Sequence, residues 1–384
     1  MACHQLDRDG SGDSELSLPL NLGQWYYPDE AELGAIVREI YVNKYYTNHG
    51  PLAKKFEASL TEYFIGKEAV VATNATLSLM MTLVGLGVAG SVIVPAVSSP
   101  GVTEAVIWSG LNPIFSDVDP LTGHITVETI SKVVSNDVSV IVALSMWGNV
   151  CDVDGLRSYA SRSGIQLIHY AVDAFGASVN NVKVGEDDVT TIFSFHGSKI
   201  LSCSEGGCVV TNDSMLARRI RNIRSSYGAG PFVKVPVTAN GRFSEFQAAL
   251  GLWSLSRLSV HCELNRGIVK EYEKSMACID GLKILNISHA DSSNYQDIAI
   301  VVDEQKLGVS RDHIQKTLNE HGVQTRPKYD SCLNASRMFK AYHTGDELLG
   351  MEYLAGSVLQ LPVGAKITAK IAIEISEIIK ASID

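Results

Sequence analysis

The stretch Phe193-Ser194-Phe195-His196-Gly197-Ser198-Lys199 decides the fold of this chain, and Glu205-Gly206-Gly207 follows it closely. It reads as an apolar strand that runs into small residues and ends on a single lysine. At the end of a strand, Lys199 can lie at the mouth of a sheet with its amine partly desolvated. That setting suits Schiff-base chemistry with a carbonyl compound or pyridoxal phosphate (PLP). The alternative is that Lys199 is a solvated lysine after a strand. The surrounding sequence must distinguish between these two interpretations.

Strand and helix patterns alternate from residue 69 to about residue 225, which is typical of a mainly parallel sheet with helices on both faces. The predicted strands are 69–72, 91–94, 113–118, 138–144 and 166–169, and the helices between them are 77–86, 103–109 and 152–163. Ligands of such sheets bind at the carboxyl ends of the strands. Several polar residues follow these apolar segments, so we expect them to converge on one site: Thr76, Ser99, Tyr170, Asp173 and Lys199.

The turn Thr73-Asn74-Ala75-Thr76 lies between a buried strand and an apolar helix. A helix that starts there offers free N–H groups to an anion such as a phosphate. Thr76 can equally be a plain N-cap of that helix. This stretch alone leaves both interpretations open.

The second half of the chain predicts a smaller α+β domain behind a long helix. The pattern from residue 243 to 258 continues toward Tyr272 and is typical of a helix that bridges two domains. Residues 213–224 predict a basic helix with a solvated face, and strands are predicted at 298–302 and 323–326, with a helix at 311–320 between them and a closing helix at 367–379. We therefore expect a flexible tail over residues 1–20, a large α/β domain over 21–258 and a small domain over 259–384.

Composition narrows the class of protein. A net charge of −10 with a pI near 5.5 argues against a nucleic-acid partner or an anionic membrane. The seven cysteines are scattered without metal-ligand spacing, which predicts reduced thiols, a cytoplasmic location and no metal. The first fifteen residues are polar and do not resemble a signal peptide, and no apolar run reaches transmembrane length.

The order of these motifs resembles the DegT/DnrJ/StrS family of PLP-dependent aminotransferases. The matching stretches cover nearly the whole chain after residue 25: Tyr46 to Leu52, Thr73 to Thr76, Asn112 to Pro120, Trp147-Gly148, Cys151 to Asp154, Ala174 to Gly176, Phe193 to Lys199, Glu205 to Gly207, Thr211 to Asp213, Ser244 to Gly251 and Leu361-Pro362. The resemblance implies fold type I, with a large mainly parallel sheet domain and a smaller α+β domain. It also implies amino-group transfer to a keto sugar, cyclitol or secondary metabolite from glutamate or glutamine.

The resemblance also assigns roles by position. Lys199 corresponds to the lysine that holds PLP as a Schiff base, and Ser194 to a phosphate contact. Ala75 and Thr76 correspond to further phosphate contacts at the helix start. Asn240 corresponds to a phosphate contact that reaches in from a partner subunit, which implies a homodimer with a shared active site.

Three positions in two stretches beside the cofactor ring depart from the family pattern. Tyr170 stands where the family has an aspartate for the pyridine nitrogen, and Asp173 stands where it has glutamine or histidine. Ser99 replaces an aromatic residue that stacks on the ring. A carboxylate keeps the ring nitrogen protonated and so maintains the electron sink, which a neutral tyrosine hydroxyl cannot do. Asp173 is then a candidate acid/base group, or a plain loop aspartate that caps a turn.

Three functions follow from this divergent pattern. The first is an aminotransferase with a rebuilt ring site, acting on a small keto or amino substrate, or else a protein that binds PLP for a reaction needing a weaker electron sink. The second is a PLP-independent enzyme that uses Lys199, Asp173 and His196 in a cyclisation, condensation or elimination. The third is an inactive helper subunit, against which the intact Lys199 argues. Further candidate cleft residues are Tyr45, Tyr46 and Arg326.

Overall fold

A computed structural model describes residues 19–285, 292–325, 327, 339–342 and 347–383. Its strands are β1 Gly23–Gln24, β2 Glu68–Ala72, β3 Ser91–Pro95, β4 Asn112–Ser116, β5 Val138–Leu144, β6 Gln166–Tyr170, β7 Ser178–Val179, β8 Val182–Lys183, β9 Thr190–Ser194, β10 Gly207–Thr211, β11 Leu282–Ile284, β12 Ile298–Val302, β13 Val358–Leu361 and β14 Val363–Gly364. Its helices are α1 Glu30–Asn43, α2 Pro51–Tyr63, α3 Ala75–Leu86, α4 Pro100–Trp108, α5 Val127–Ser131, α6 Val153–Ser163, α7 Ser214–Arg224, α8 Glu245–Met276, α9 Glu304–Leu307, α10 Arg311–Glu320, α11 Leu349–Ser357 and α12 Ala369–Ala381.

The centre of the larger part is a seven-stranded sheet in the order β2-β10-β9-β6-β5-β3-β4. All neighbours are parallel except those of β10, which is antiparallel to both β9 and β2. Strands such as β3 and β5 are almost continuous apolar runs because helices cover both faces of the sheet. The prediction of a mainly parallel α/β sheet is confirmed.

The smaller part contains a three-stranded antiparallel sheet in the order β11-β12-β13. A second hydrophobic core packs this sheet against α10, α12 and the last turns of α8. Helix α8 is 32 residues long and contributes to both cores, as the sequence predicted for a bridging helix. Helix α10 has the predicted bounds. The predicted strand at 323–326 is wrong at Val323, which forms only an isolated bridge, and Arg326 lies outside the described residues.

The beginning of the described chain is attached to the smaller part rather than to the sheet that follows it. Leu20 is buried in the second core and bridges to Val323. Strand β1 pairs in parallel with β14, near the end of the chain. Residues 1–18 of the predicted tail lie outside the described residues, and the domain boundary at residue 258 stays a prediction.

The basic helix α7 corrects one expectation from the sequence. Arg224 is only 1% exposed, and its guanidinium donates to Glu57 Oε1 and to the backbone oxygen of Val71, both at 2.7 Å. Arg221 donates to Glu68 at 2.8 Å. Two of the arginines on this helix therefore form ion pairs with the core and the sheet, so the prediction of a solvated face is wrong for them.

Among the described residues, no helix combines the length and the apolar character needed to cross a bilayer. The same residues contain no group of three His, Cys, Asp or Glu side chains arranged to hold a metal ion.

Candidate active site

A cavity of about 770 Å³ opens at the carboxyl ends of the parallel strands, between the two parts of the chain. The structure places these predicted site residues on its wall: Ala75, Thr76, Ser99, Tyr170, Asp173, Ser194, His196 and Lys199. They meet there because β3, β6 and β9 run parallel and end at the same edge of the sheet. The convergence predicted from the strand pattern is therefore present.

One end of the cavity is formed by the start of α3. Asn74 is the N-cap, since its side chain accepts from the N–H of Leu77 at 2.8 Å. The interpretation of Thr76 as the cap is therefore wrong, and Thr76 lies in the first turn with Ala75. The backbone N–H groups of a first turn have no partner within their own helix, so this end of the cavity suits an anion.

Three glycines make close approaches around this end of the cavity, Gly207 and Gly101 against the start of α3 and Gly206 against Phe195. A Cβ built on Gly207 would lie 2.5 Å from the carbonyl carbon of Asn74 and 2.6 Å from the nitrogen of Ala75. A Cβ on Gly101 would lie 2.7 Å from Thr76 Oγ1, and one on Gly206 2.9 Å from Phe195 Cβ. Only glycine fits at these close approaches.

Lys199 lies at the other end of the cavity in a turn that follows β9. Its backbone N–H donates to the carbonyl oxygen of His196 at 2.9 Å, and its ε-amine forms an ion pair with Asp173. The Lys199 side chain is 17% exposed and that of Asp173 is 4% exposed. The amine is thus partly desolvated and held by a carboxylate, on the wall of the cavity.

Residues of both the larger and the smaller part of the chain hold the carboxylate of Asp173. The backbone N–H of Trp147 donates to Asp173 Oδ2 at 3.2 Å, from a turn in which Trp147 itself has φ +58°. A non-glycine residue seldom adopts this left-handed conformation, which here aims the N–H at the carboxylate. Gln296 Nε2 donates to Asp173 Oδ1 at 2.9 Å. Asp173 is therefore part of a hydrogen-bonded network that includes Lys199 rather than a loop aspartate that caps a turn.

Tyr170 ends β6 and is buried, with its ring on the cavity wall. Burial raises the pKa of its hydroxyl well above the ordinary tyrosine value, Asp173 adds to the rise, and a hydrogen bond with Thr76 opposes it. The hydroxyl is therefore neutral across the physiological range. It supplies a hydrogen bond but no negative charge to whatever occupies this part of the cavity.

The remaining predicted positions lie at the edge of the cavity or away from it. Ser99 is exposed at the start of α4 and supplies no apolar ring face. His196 is exposed, with Nδ1 3.0 Å from Ser198 Oγ and Nε2 3.6 Å from Glu205 Oε1. Asn240 is exposed and bridges to Ser225 rather than lining the cavity of its own subunit. Tyr45 and Tyr46 are also exposed and away from that wall.

Sequence reasoning missed the wall supplied by the smaller part. Gln296, Asp297, Thr325 and Gln360 line the cavity opposite the sheet, and Trp25 lines it from the N-terminal segment. A signal was present: Asn294 to Asp297 is a polar run directly before the apolar strand β12. It precedes the strand instead of following it, so the rule used for the parallel sheet did not select it.

The residues present fit PLP at two of its three recognition points. The first turn of α3 and Ser194 suit the phosphate, with the close approach of Gly207 behind that turn. Lys199 suits the aldehyde. At the third point, the ring nitrogen, the buried and neutral Tyr170 takes the place of a carboxylate. The cavity thus offers groups that suit the phosphate and the aldehyde of PLP, with a neutral hydroxyl at the position of Tyr170.

A mainly parallel sheet with one reversed strand, a helix start suited to phosphate and a lysine after β9 define the fold type I class of PLP-dependent enzymes. Comparison with known proteins narrows this class to a family. A profile of the DegT/DnrJ/EryC1/StrS aminotransferase family matches residues 28–380. The chain belongs to this aminotransferase family, as its motifs predicted.

Several relatives are similar over most of the chain. dTDP-4-amino-4,6-dideoxy-D-glucose transaminase from Shigella dysenteriae is 26% identical over 362 residues, which are 92% of this chain and 96% of that protein. GDP-perosamine synthase from Caulobacter vibrioides is 29% identical over 286 residues, 73% of this chain and 76% of that protein. The crystal structure of DesI in the presence of its TDP-sugar product matches with a TM-score of 0.88 and 29% identity, over 97% of this chain and 95% of that one.

Proposed function

We propose that this chain is a PLP-dependent aminotransferase that transfers an amino group to the keto group of a sugar or cyclitol, with glutamate or glutamine as donor. The observation that carries the proposal is the Lys199–Asp173 ion pair, placed in the same cavity as the start of α3. The relatives support a sugar substrate, because they include a transaminase and a synthase of nucleotide-linked amino sugars. A role in secondary metabolism is part of the same proposal.

The roles of the residues follow from their places on the cavity wall. Ala75, Thr76 and Ser194 hold the phosphate, and Lys199 holds the aldehyde end and moves a proton to or from the substrate carbon. Asp173 accepts hydrogen bonds from the lysine amine and holds that amine in place between proton transfers. When bound, PLP supplies the electron sink, which the neutral Tyr170 leaves weaker than a carboxylate would.

We also propose that two copies of the chain share each site, with Asn240 reaching the phosphate of the other subunit. Its exposed position outside the cavity of its own subunit supports this arrangement. A cytoplasmic location agrees with the acidic composition and with the five described cysteines, all of which are free thiols.

One observation favours a second candidate, a PLP-independent reaction in the same cavity. Tyr170 is longer than the aspartate of the family, and its hydroxyl reaches Thr76 at the phosphate end of the cavity. The tyrosine side chain therefore extends across space that the family leaves to the cofactor. Lys199, Asp173 and His196 would then carry out a cyclisation, condensation or elimination without a cofactor.

Visible absorbance of the purified protein with excess PLP, followed by borohydride reduction and peptide mapping, distinguishes the two candidates. The first predicts a yellow protein whose reduced adduct maps to Lys199. Lys199→Ala should remain colourless, whereas Lys132→Ala, at an exposed lysine paired with Glu128, should behave as wild type. The second step is incubation with glutamate, which should discharge the colour if amino transfer occurs.

The absence of PLP binding would also distinguish the two candidates. A colourless wild-type protein that takes up no PLP would remove the aminotransferase proposal. If Lys199→Ala and Asp173→Ala then abolished the native activity, the cofactor-free enzyme would stand in its place.

A further inference from the structure

We propose that Gln296 is a positioning residue that holds the Asp173 carboxylate against the amine of Lys199. It is supplied by the smaller part of the chain, whereas the pair it positions belongs to the larger sheet. The proposal rests on the proposed function only where enzymatic rates are measured. Its other readout needs neither PLP nor substrate.

One end of the Gln296 amide contacts Asp173, and the other end contacts the backbone next to Lys199. Nε2 donates to Asp173 Oδ1 at 2.9 Å, and Oε1 accepts from the N–H of Ile200 at 3.0 Å. Ile200 directly follows Lys199, so one side chain fixes both the carboxylate and the backbone that carries the amine. A shift of either partner relative to the other would stretch one of these two bonds.

The chemistry of the partners fixes the orientation of this amide. The backbone N–H of Ile200 can only donate, so the oxygen of Gln296 must face it. The carboxylate of Asp173 accepts, so the NH₂ group must face the carboxylate. Gln296 is therefore matched to both partners at once, and a glutamate at this position could satisfy only Ile200.

The segment that carries Gln296 is itself held to the loop after β6. Asn294 is fully buried, and its Nδ2 donates to the backbone oxygens of Asp173 and Phe175 at 2.8 and 3.1 Å. Its Oδ1 accepts from the N–H of Gln296 at 3.0 Å. The backbone on both sides of the Gln296–Asp173 bond is thus fixed, so the side chain can hold the carboxylate at a defined angle.

A second carboxylate lies on the other side of the same amide. Gln296 Nε2 is 3.4 Å from Asp297 Oδ2, and Gln360 donates to the other oxygen of Asp297. The neutral amide therefore separates Asp173 from Asp297, and both acids line the cavity. Without it, repulsion between the two carboxylates would turn Asp173 away from Lys199.

The test compares Gln296→Met, which loses both hydrogen bonds, with Gln296→Glu, which keeps the acceptor for Ile200 and, assayed at about pH 8, cannot donate to Asp173. Gln315→Met and Gln315→Glu are the matched controls, because Gln315 donates to the backbone of Thr325 away from the ion pair. Thermal melting establishes that each variant is folded. We expect both Gln296 variants to lower kcat about tenfold with KM within about twofold, since misplaced catalytic groups cost rate rather than binding.

The second readout is the rate at which trinitrobenzenesulfonate labels Lys199 in protein without PLP, measured by peptide mapping against Lys183 as internal reference. Gln296→Met should raise this rate severalfold, because the amine is no longer held against Asp173. In an Asp173→Asn background the same substitution should change it less than about twofold, as a residue acting through Asp173 requires. Equal effects in both backgrounds, or wild-type kcat and labelling in Gln296→Glu, would overturn the proposal.

Discussion

Two residues three positions apart determine the character of the site at the scale of single side chains. Tyr170 is neutral and buried where the family has a carboxylate, and Asp173 is a carboxylate where the family has a neutral or weakly basic side chain. On the proposed assignment of the site, the negative charge lies beside the lysine instead of beside the ring nitrogen. This arrangement would favour control of Lys199 over activation of the cofactor ring.

Returning the charge to its family position should strengthen the electron sink. We expect Tyr170→Asp to raise the rate of transamination at least about tenfold and to increase the gain in melting temperature on adding PLP. The gain in melting temperature follows because, without PLP, the new carboxylate would be buried and unpaired. Stopped-flow absorbance with glutamate and thermal melting with and without PLP measure the two effects.

Tyr170→Asn has the size of the aspartate without its charge and is the matched control. It should open the same space and leave the transamination rate near that of wild type. A rate increase of equal size in both variants would show that space, and not charge, limits the reaction.

The site residues that sequence could predict are those that follow strands of the parallel sheet. Lys199, Asp173, Tyr170 and Thr76 were found by this rule, because the ends of parallel strands meet whatever the length of chain between them. The rule for parallel strands does not select Gln296, because this residue precedes a strand instead of following one. It reaches Ile200 across 96 positions of the sequence, and only the packing of the two parts brings it there.

At the scale of elements, the contact between β10 and α3 shapes the phosphate end of the cavity. Gly207 begins β10 directly beneath Asn74 and Ala75, where no side chain fits. The strand therefore supports the helix start through backbone contact alone. This packing explains Gly207 of the Glu205-Gly206-Gly207 motif, whereas Gly206 is packed against Phe195 and Cys203.

Gly207→Ala should displace the start of α3 and weaken anion binding there. We expect a loss of ~2 kcal/mol in unfolding free energy from overpacking and at least a tenfold weaker Kd for PLP. Urea unfolding and fluorescence titration measure the two quantities.

Gly267→Ala provides the control for the same substitution, since nothing lies within 4 Å of a Cβ at this position in α8. It should stabilise the protein by about 0.5–1 kcal/mol and leave PLP binding unchanged. Wild-type PLP affinity in Gly207→Ala would contradict the role given to the start of α3.

The bounds of helices and strands were predictable where the hydrophobic periodicity agrees with capping or turn residues at the ends. Strand β5 is a seven-residue apolar run and has the predicted bounds, and helix α10 begins after the N-cap Ser310. The error on α7 has a physical cause. Periodicity identifies the apolar face of a helix but not a buried carboxylate such as Glu57, which is the partner that allows Arg224 into the core.

At the scale of the whole molecule, the isolated subunit leaves apolar surface exposed on α1. The spacing of Leu33, Ile36, Val37 and Ile40 is that of one helix face, and yet Leu33 and Val37 are each 45% exposed. Nearby Tyr41 is 72% exposed. Exposed apolar surface of this kind suits contact with a second copy of the chain, as the proposed shared site requires.

A shared site predicts that two inactive variants can restore each other. Lys199→Ala removes the lysine, and Asn240→Asp places a negative charge where the phosphate contact should be. Hybrid dimers, isolated by co-expression with two different affinity tags, should have about half of wild-type activity, because one of their two sites combines an intact Lys199 from one chain with an intact Asn240 from the other.

Each variant expressed alone is the control and should be nearly inactive. Hybrids no more active than these parents would remove the proposed role of Asn240. Light scattering that shows a monomer at micromolar concentration would remove the shared site altogether.

The pairing of β1 with β14 has a consequence for folding during synthesis. Residues 23–24 find their partners at 363–364, and Leu20 finds Val323 some 300 positions later. During synthesis residues 20–24 therefore cannot pair with their partners until almost the entire chain has emerged from the ribosome. The large sheet can assemble earlier, and loop-closure entropy makes the attachment of the N-terminal segment a late, slow step. Trp25, which lines the cavity, follows β1 directly, so the catalytic cavity is completed last.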